Sequence, residues 1–273
     1  MNKSNPCPVC EKGDWCGVSA DGSLARCMRI SSDMPSEGSD GSTGFVHVVG
    51  EPFDSLEPAR EYKEPQKVDI ASLYALYASK SGNMNNTPLA MKWGLEGKYI
   101  DSLGVVWIGS HQAYGIPMRN ERGRVIGIQL RTTESKWMIK GSQLGIFCSW
   151  PILSNRVFVC EGASDTAAMI SLGFEAVGRA SCSSGGPILK RMLAGKDVVI
   201  VSDRDEPKQL PSGDWVTPGQ DGAEQLAELL ATMSASSVKI ITPPAPYKDA
   251  RAWINAGVSK KTIEAAVRVA YEI

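Results

Sequence analysis

VFVCEGASD at residues 157–165 and DVVIVSDRD at residues 197–205 decide the fold of this chain. Each is a short, β-branched apolar run that ends abruptly in acidic residues, which places Glu161, Asp203 and Asp205 at the ends of strands. The carboxyl ends of neighbouring parallel strands are where open α/β sheets bind ligands. Three carboxylates gathered there would hold a hard divalent cation, Mg²⁺ or Mn²⁺, and through it phosphates.

Strands and helices alternate from residue 156 to residue 273. Apolar runs such as VFVC, EAVG, DVVIVS and VKIITP are separated by helical patterns such as DTAAMISLG and GAEQLAELLATM. This alternation predicts an α/β domain over residues 156–273, with a parallel sheet covered by helices on both faces.

Residues 68–155 have a different pattern, which predicts a small mixed α+β subdomain. Apolar residues recur at helical spacing in IASLYALYA and TPLAMKWGL, and two β-rich runs then flank a hairpin turn at residues 120–123. The subdomain is locally basic through Arg119, Arg122, Arg124, Arg131, Lys136 and Lys140. These side chains predict a phosphate-binding stripe beside the acids, although the solvated face of an antiparallel sheet would also explain them.

The composition limits the class of protein. With 273 residues, 42% of them hydrophobic, the chain can form one ordinary α/β domain with small additions. Its net charge of −1 excludes a bulk polycation, so any binding of nucleic acid depends on a local basic surface and is salt-sensitive. The N-terminus has no apolar signal region, and no apolar run approaches the roughly 20 residues that cross a bilayer, which predicts a cytoplasmic protein without a membrane partner.

Four cysteines lie close together near the N-terminus. Cys7, Cys10, Cys16 and Cys27 have the spacing Cys-x2-Cys-x5-Cys-x10-Cys, and four thiolates match tetrahedral Zn²⁺. Two disulfides are the alternative, which a reducing cytosol disfavours. We therefore predict a zinc-binding module over residues 1–30, in which the metal supplies most of the folding free energy. Residues 31–67, rich in Ser, Gly, Pro and acid, predict a flexible linker with one short strand, FVHVV.

Taken in order, these motifs resemble a known family. EGASD, GRASCSSGG, SDRD and the following Gly-Ala-Glu-Gln-Leu-Ala helix are similar to the TOPRIM domain of bacterial-type primases, topoisomerases and some nucleases. The run IPMRNERGRVIGIQLR with KWMIKGSQLGIF resembles the basic subdomain that precedes TOPRIM in bacterial and phage primases, and a leading zinc ribbon belongs to the same plan. The resemblance spans nearly the whole chain and implies a Rossmann-like TOPRIM sheet.

The resemblance also implies site residues and an activity. Glu161 matches the TOPRIM glutamate, Asp203 and Asp205 match the paired aspartates, and Asp165 is the acid four positions after the glutamate. We expect Asp203 and Asp205 to hold Mg²⁺, whereas Glu161 is either a ligand or a general base. We expect Arg119, Arg131 and Lys140 to bind template or nucleotide phosphates, and Asp165 to belong to the same substrate-binding set. The implied reaction is the synthesis of short RNA primers on single-stranded DNA from ribonucleoside triphosphates.

The chain departs from the family pattern in three respects. The cysteine spacing lacks the usual histidine ligand, residues 206–220 insert a Pro/Gly-rich loop after the paired aspartates, and no helicase-binding domain follows, so we expect any replicative helicase partner to be a separate protein. Two other functions stay open. One is a TOPRIM nuclease, which would use the same metal to activate water. The other is a non-catalytic recombination mediator that binds DNA through its zinc module and TOPRIM domain.

Overall fold

A computed structural model of the chain describes residues 5–37, 42–50, 68–81, 87–209, 214–232 and 235–273. The chain divides into two compact units, Met1–Gln66 and Lys67–Ile273. Among the described residues, no helix combines the length and the apolar character needed to span a bilayer.

The first unit is a four-stranded antiparallel sheet with the strand order β1-β2-β4-β3. Its strands are β1 (Gly17–Val18), β2 (Leu24–Cys27), β3 (Pro35–Glu37) and β4 (Thr43–Val48). β4 pairs with β2 from Leu24↔Val48 to Cys27↔Phe45. The sheet therefore continues beyond residue 30 into the segment that the composition assigns to the linker, because the β-branched run FVHVV pairs with the strand that carries Cys27. Residues 38–41 and 51–67 of that predicted linker lie outside the described residues.

The second unit begins with helices and antiparallel strands, as the sequence predicts for residues 68–155. The helices are α1 (Ile70–Lys80), α2 (Thr87–Trp93) and α3 (Gly97–Asp101). The strands are β5 (Val106–Ile108), β6 (Ala113–Arg119), β7 (Val125–Arg131), β8 (Lys136–Met138) and β9 (Ile146–Cys148). A single-turn 3₁₀ helix, Gly109–His111, lies between β5 and β6.

Alternating strands and helices complete this unit. The strands are β10 (Arg156–Glu161), β11 (Ala176–Arg179), β12 (Asp197–Val201), the short hairpin pair β13 (Lys208–Gln209) and β14 (Trp215–Val216), and β15 (Ser237–Ile241). The helices are α4 (Ala163–Ser171), α5 (Gly186–Met192), α6 (Pro218–Ala231), α7 (Ala250–Asn255) and α8 (Lys260–Val269).

One mixed sheet runs through the whole second unit in the order β15-β12-β10-β11-β9-β6-β7-β8, with β5 paired to β6. β15, β12, β10 and β11 are mutually parallel, and β9 joins them antiparallel to β11. The predicted parallel sheet is thus continuous with the predicted basic subdomain. This continuity places β7 and β8, which carry basic side chains, on the same sheet as the acidic strand ends.

Helices cover both faces of the parallel strands. Val157 and Val159 face a core formed by α5 and α6, whereas Phe158 and Cys160, the alternate residues of the same strand, pack against α4, α7 and α8. Burial on both faces explains why these strands are continuous apolar runs instead of an alternation of apolar and polar residues.

Candidate active site and cysteine cluster

The four N-terminal cysteines converge on one point of the first unit. All four sulfur atoms lie within 4.8 Å of one another, with Cys10 Sγ 3.7 Å from Cys16 Sγ and Cys16 Sγ 4.0 Å from Cys27 Sγ. A tetrahedron of sulfurs about 2.3 Å from Zn²⁺ has edges of about 3.8 Å. All seven cysteines are free thiols, so the disulfide alternative finds no support, and the cluster supports the prediction of zinc.

Backbone and side-chain donors surround the sulfurs. The amides of Arg29 and Ile30 donate to Cys27 Sγ at 3.4 and 3.3 Å, and the guanidinium of Arg29 lies 3.7 Å from Cys16 Sγ. Such donors stabilise thiolates and orient them toward a metal. His47 instead contacts the carbonyl oxygen of Ile30 through Nε2 at 3.0 Å, in agreement with its omission from the predicted ligands.

In the second unit, Glu161 and Asp203 lie at the carboxyl ends of adjacent parallel strands. Glu161 is the last residue of β10, and Asp203 follows β12, which pairs with β10 from Arg156↔Asp197 to Val159↔Ile200. Among the described residues, neither carboxylate has a hydrogen-bond or ion-pair partner. The strand-end position that the sequence predicts is therefore present, and both carboxylates are free to bind a ligand.

Asp203 lies in a strongly unfavourable environment for a negative charge. Burial raises its pKa to about 8, with further contributions from Asp165, Glu161, Asp249 and Asp205. Each neighbour is itself acidic, so the ionised forms repel one another. A divalent cation would relieve this repulsion, and the donor set of carboxylate oxygens fits Mg²⁺.

Asp165 connects two helices beside the acids. It lies in the first turn of α4, is 5% exposed, and accepts hydrogen bonds from the backbone N–H of Arg251 at 2.9 Å and from Ser164 Oγ at 3.0 Å. Burial raises its pKa to about 7, and the nearby Asp249 adds to the shift. Asp249 caps α7 by accepting from the N–H of Ala252 at 2.6 Å, as expected for an acid between a strand and a helix.

Asp205 is held differently from Asp203. Its Oδ1 forms an ion pair with Lys248 Nζ at 3.2 Å, and its Oδ2 accepts from the backbone N–H of Gly219 at 3.0 Å, in the first turn of α6. Both oxygens are thus engaged, one by a cation and one by a helix N-terminus. Among the described residues, the compact groups of potential metal ligands comprise the four cysteines and do not include Glu161, Asp203 and Asp205.

A cavity of about 200 Å³ opens at the acidic strand ends. Its lining includes the acids Glu161, Asp165 and Asp203, together with Gln129, Arg131 and Lys136 from β7 and β8. Trp93, Phe147, Gly162, Ala163, Ser164 and Ala180 complete the lining. Arg131 on β7 is the register partner of Lys136 on β8, so the two cationic residues are neighbours in the sheet. Burial and the neighbouring Arg251 lower the pKa of Arg131, a crowding of cations that an anion would relieve.

The three basic residues predicted to bind phosphates occupy different environments in the structure. Arg131 lines the cavity, whereas Arg119 and Lys140 do not. Arg119 Nη1 donates to the carbonyl oxygen of Gly123 at 2.9 Å and thereby supports the β6–β7 hairpin turn. Lys140 is exposed in the turn that follows β8. The predicted roles of Arg119 and Lys140 in binding phosphates stay predictions.

Arg179 and Lys248 are site neighbours that the sequence analysis did not single out. Arg179 pairs with Glu161 in the register of β10 and β11, is 5% exposed, and donates to the carbonyl oxygens of Cys182 and Gly222. Arg179 lies in the motif GRASCSSGG, and Lys248 directly precedes Asp249. Only the pairing of strands and loops shows that they approach the acids.

Gly219 packs directly against the acidic loop and offers a test of its geometry. A Cβ atom at this position would lie 2.9 Å from Asp203 Cβ and 3.0 Å from the Asp203 carbonyl oxygen. We expect Gly219→Ala to displace Asp203, to lower the free energy of unfolding by about 1–3 kcal/mol, and to weaken stabilisation by Mg²⁺. Thermal unfolding with and without Mg²⁺ measures both effects. Gly109→Ala is the control because its Cβ would have only one contact, at 3.9 Å; equal behaviour of the two variants would contradict the close packing.

Comparisons with known proteins show which solved structures have a similar fold. No family model and no curated protein matches the chain. Solved structures do match: the E. coli primase catalytic core aligns with a TM-score of 0.53 and 15% identity over 74% of this chain and 79% of that chain. The DnaG primase catalytic domain bound to single-stranded DNA aligns with a TM-score of 0.52 and the same identity and coverage. The Aquifex aeolicus primase, comprising zinc-binding and RNA polymerase domains, aligns with a TM-score of 0.57 and 13% identity over 75% of this chain and 61% of that chain.

These alignments define the class of fold. The chain has the mixed α/β fold of primase catalytic cores, with a four-cysteine cluster near its N-terminus. The fold class and the resemblance to primases that the sequence predicts are thereby confirmed.

Proposed function

We propose that this chain synthesises short RNA primers on single-stranded DNA from ribonucleoside triphosphates, in a Mg²⁺-dependent reaction. One observation carries the proposal: in a chain with the primase-core fold, a single cavity is lined both by the unpartnered carboxylates of Glu161 and Asp203 and by Arg131 and Lys136. The DnaG domain with this fold that binds single-stranded DNA supports the choice of template. A helicase partner and a cytoplasmic location stay predictions.

Glu161 and Asp203 would hold the Mg²⁺ ion, or Mn²⁺ in its place. When bound, the ion supplies electrostatic stabilisation for the charge that builds on the phosphorus oxygens during nucleotidyl transfer. Asp205 has a supporting role in this proposal, because Lys248 and the N–H of Gly219 already engage its two oxygens. This assignment differs from the sequence-based expectation that Asp203 and Asp205 are the direct pair.

The remaining cavity residues would position the reactants. Arg131 and Lys136 neutralise nucleotide phosphates and align them with the acids across the cavity. Asp165 holds α4 against α7 through its hydrogen bond from Arg251 N–H, and so fixes the backbone that carries Glu161 and Gly162. In the first unit, Trp15 is 76% exposed beside the cysteine cluster, where it can stack on template bases, whereas Arg26 is engaged with the carbonyl oxygens of Ser36 and Ser42.

A synthesis assay tests the proposed function. The purified chain is incubated with single-stranded DNA of mixed sequence, labelled ribonucleotides and Mg²⁺ or Mn²⁺. We expect labelled oligomers from the parent protein and from Glu224→Gln, which removes an exposed acid of α6. Glu161→Gln should lower the yield by about 100-fold or more, because it removes a group that stabilises the transition state electrostatically.

The other two functions give different outcomes in the same assay. Cleavage of the DNA without synthesis would support the TOPRIM nuclease. Intact DNA that is bound without either reaction, equally by the parent and by Glu161→Gln, would support the recombination mediator.

A further inference from the structure

Arg179 is a buried cation without an ionic partner. It is the last residue of β11, is 5% exposed, and takes part in none of the ion pairs within the described part of the chain. Its Nη1 donates to the carbonyl oxygens of Cys182 and Gly222, and its buried Nε has no hydrogen-bond partner among the described residues. Guanidinium groups keep their charge in proteins, and a buried charge that lacks an opposite charge is costly.

The fold places this cation beside the carboxylates that also lack partners. Arg179 is the register partner of Glu161, and the backbone N–H of Gly162 donates to the Arg179 carbonyl oxygen at 2.7 Å. Neighbouring strands lie about 4.8 Å apart, and the side chains of paired residues project from the same face of a sheet. Arg179 and Glu161 therefore lie side by side at the carboxyl ends of β11 and β10.

The hydrogen bonds of Arg179 hold its guanidinium on the side of α6. Gly222 belongs to α6, and Gly219, about one turn earlier on the same helix, packs against Asp203. A Cβ atom on Gly222 would lie 2.6 Å from the carbonyl oxygen of Cys182, so the loop that contains Cys182 also packs closely on this helix. The guanidinium is therefore bound between the end of β11 and the helix that contacts Asp203.

The charges of these groups influence one another. Burial lowers the pKa of Arg179, and the neighbouring Glu161, Cys182 and Asp203 oppose that shift. Where water screens little, a fixed positive charge stabilises ionised carboxylates and repels a second cation. The same guanidinium thus has opposite effects on the acids and on a metal ion that the acids bind.

We propose that Arg179 is a built-in counter-cation of Glu161 and Asp203, which stabilises these acids in the metal-free protein and lowers their affinity for free Mg²⁺ or Mn²⁺. It is a positioning residue, because it acts on the ion through the two acids. One consequence rests on the proposed primer synthesis: the metal would bind best together with a nucleotide, whose phosphates supply the negative charge that compensates Arg179.

Calorimetric titration of the intact chain with Mg²⁺, without nucleotide or DNA, tests the inference. Arg179→Gln removes the charge but keeps an amide that can donate to a carbonyl oxygen, whereas Arg179→Lys keeps the charge. We expect Arg179→Gln to bind Mg²⁺ about 10-fold more tightly than the parent, and Arg179→Lys to bind it as the parent does. A mere loss of hydrogen bonds or packing would weaken binding, so a gain in affinity is specific to the charge.

Two further variants locate the effect. Arg156→Gln is the matched control, because it removes an equal charge at the start of β10, about 16 Å along the strand from Glu161; its affinity for Mg²⁺ should equal that of the parent. Glu161→Gln, added to Arg179→Gln, should abolish the gain, because the ion loses a ligand. Thermal unfolding gives a second readout: without metal Arg179→Gln should have a lower Tm than the parent, and Mg²⁺ should raise its Tm by more.

The outcomes separate this inference from the proposed function. Equal or weaker binding of Mg²⁺ by folded Arg179→Gln would overturn the inference, and so would an Arg179→Lys protein that behaves like Arg179→Gln. If Arg179→Gln does not fold without metal, Mg²⁺ should restore its fold, and a variant that stays unfolded in saturating Mg²⁺ would equally overturn it. If Arg179→Gln binds Mg²⁺ more tightly but the parent makes no primers, the inference stands and primer synthesis fails. If primers are made and the affinity does not rise, synthesis stands and the inference fails.

Discussion

Removal of zinc is expected to unfold the first unit while the second unit stays folded. The apolar cluster of the first unit consists of Cys7, Cys16 and Cys27 themselves, with only a few partly buried neighbours: Val9, Cys10, Met28 and Ile30. Without the metal, these sulfurs repel one another as thiolates or pack poorly as thiols. Structural zinc contributes about 10–16 kcal/mol of apparent binding free energy, far more than so small a core can replace.

The measurement uses the single tryptophan of residues 1–66, Trp15. In nuclear magnetic resonance spectra, a chelator should collapse the indole N–H signal of Trp15 into the unfolded range and leave the other six signals in place, and added zinc should restore it. Cys27→Ser should reproduce the effect and lose the bound metal. Cys182→Ser, which changes a cysteine of the second unit, should retain one zinc per chain. A Cys27→Ser protein that keeps both its metal and its Trp15 signal would exclude the four-cysteine site.

The sequence predicts the positions of the acids because their signal is local. A β-branched run that stops at a carboxylate predicts both a strand and the position of its end. This pattern correctly locates Glu161 after VFVC and Asp203 after DVVIVS. Helices on both sides follow from the alternation of patterns for the same reason. Each of these predictions needs only a window of about ten residues.

The composition of the site depends on pairings that no local window contains. Arg131 and Arg119 lie on adjacent strands and are equally basic in sequence, yet the register of β7 with β8 puts Arg131 in the cavity, and the hairpin turn engages Arg119. Asp203 and Asp205 form one motif, but Lys248, far along the chain, pairs with Asp205.

Substitution of Asp203 by asparagine is expected to change stability and activity in opposite directions. In the metal-free protein, burial and four neighbouring acids raise the pKa of Asp203 to about 8. Because the folded-state pKa lies above the unfolded value of about 3.9, the stability that protonated Asp203 contributes is complete below about pH 4 and is lost as the pH rises to about 8. Asn cannot ionise, so at pH 8 Asp203→Asn should raise the free energy of unfolding by up to about 5 kcal/mol.

The same substitution should lower primer synthesis by about 100-fold or more and abolish the increase in Tm that Mg²⁺ gives the parent. Thermal unfolding at pH 5 and pH 8, with and without Mg²⁺, measures the stability part. Without Mg²⁺, the Tm of Asp203→Asn should exceed that of the parent by much at pH 8 and by little at pH 5. At pH 5 Asp203 of the parent is already protonated, so the substitution removes little repulsion.

Asp205→Asn is the matched contrast, one residue away on the other side of Arg204. Asp205 forms an ion pair with Lys248 and accepts from the N–H of Gly219, so its neutralisation removes a favourable pair and weakens the start of α6. We therefore expect Asp205→Asn to lower the Tm of the metal-free protein, where Asp203→Asn raises it. Changes in Tm of opposite sign would show that Asp203 has no partner in the metal-free protein, whereas Asp205 has one. If instead Asp203→Asn lowers the Tm as Asp205→Asn does, Asp203 stabilises the fold, and the metal site lies elsewhere on this chain.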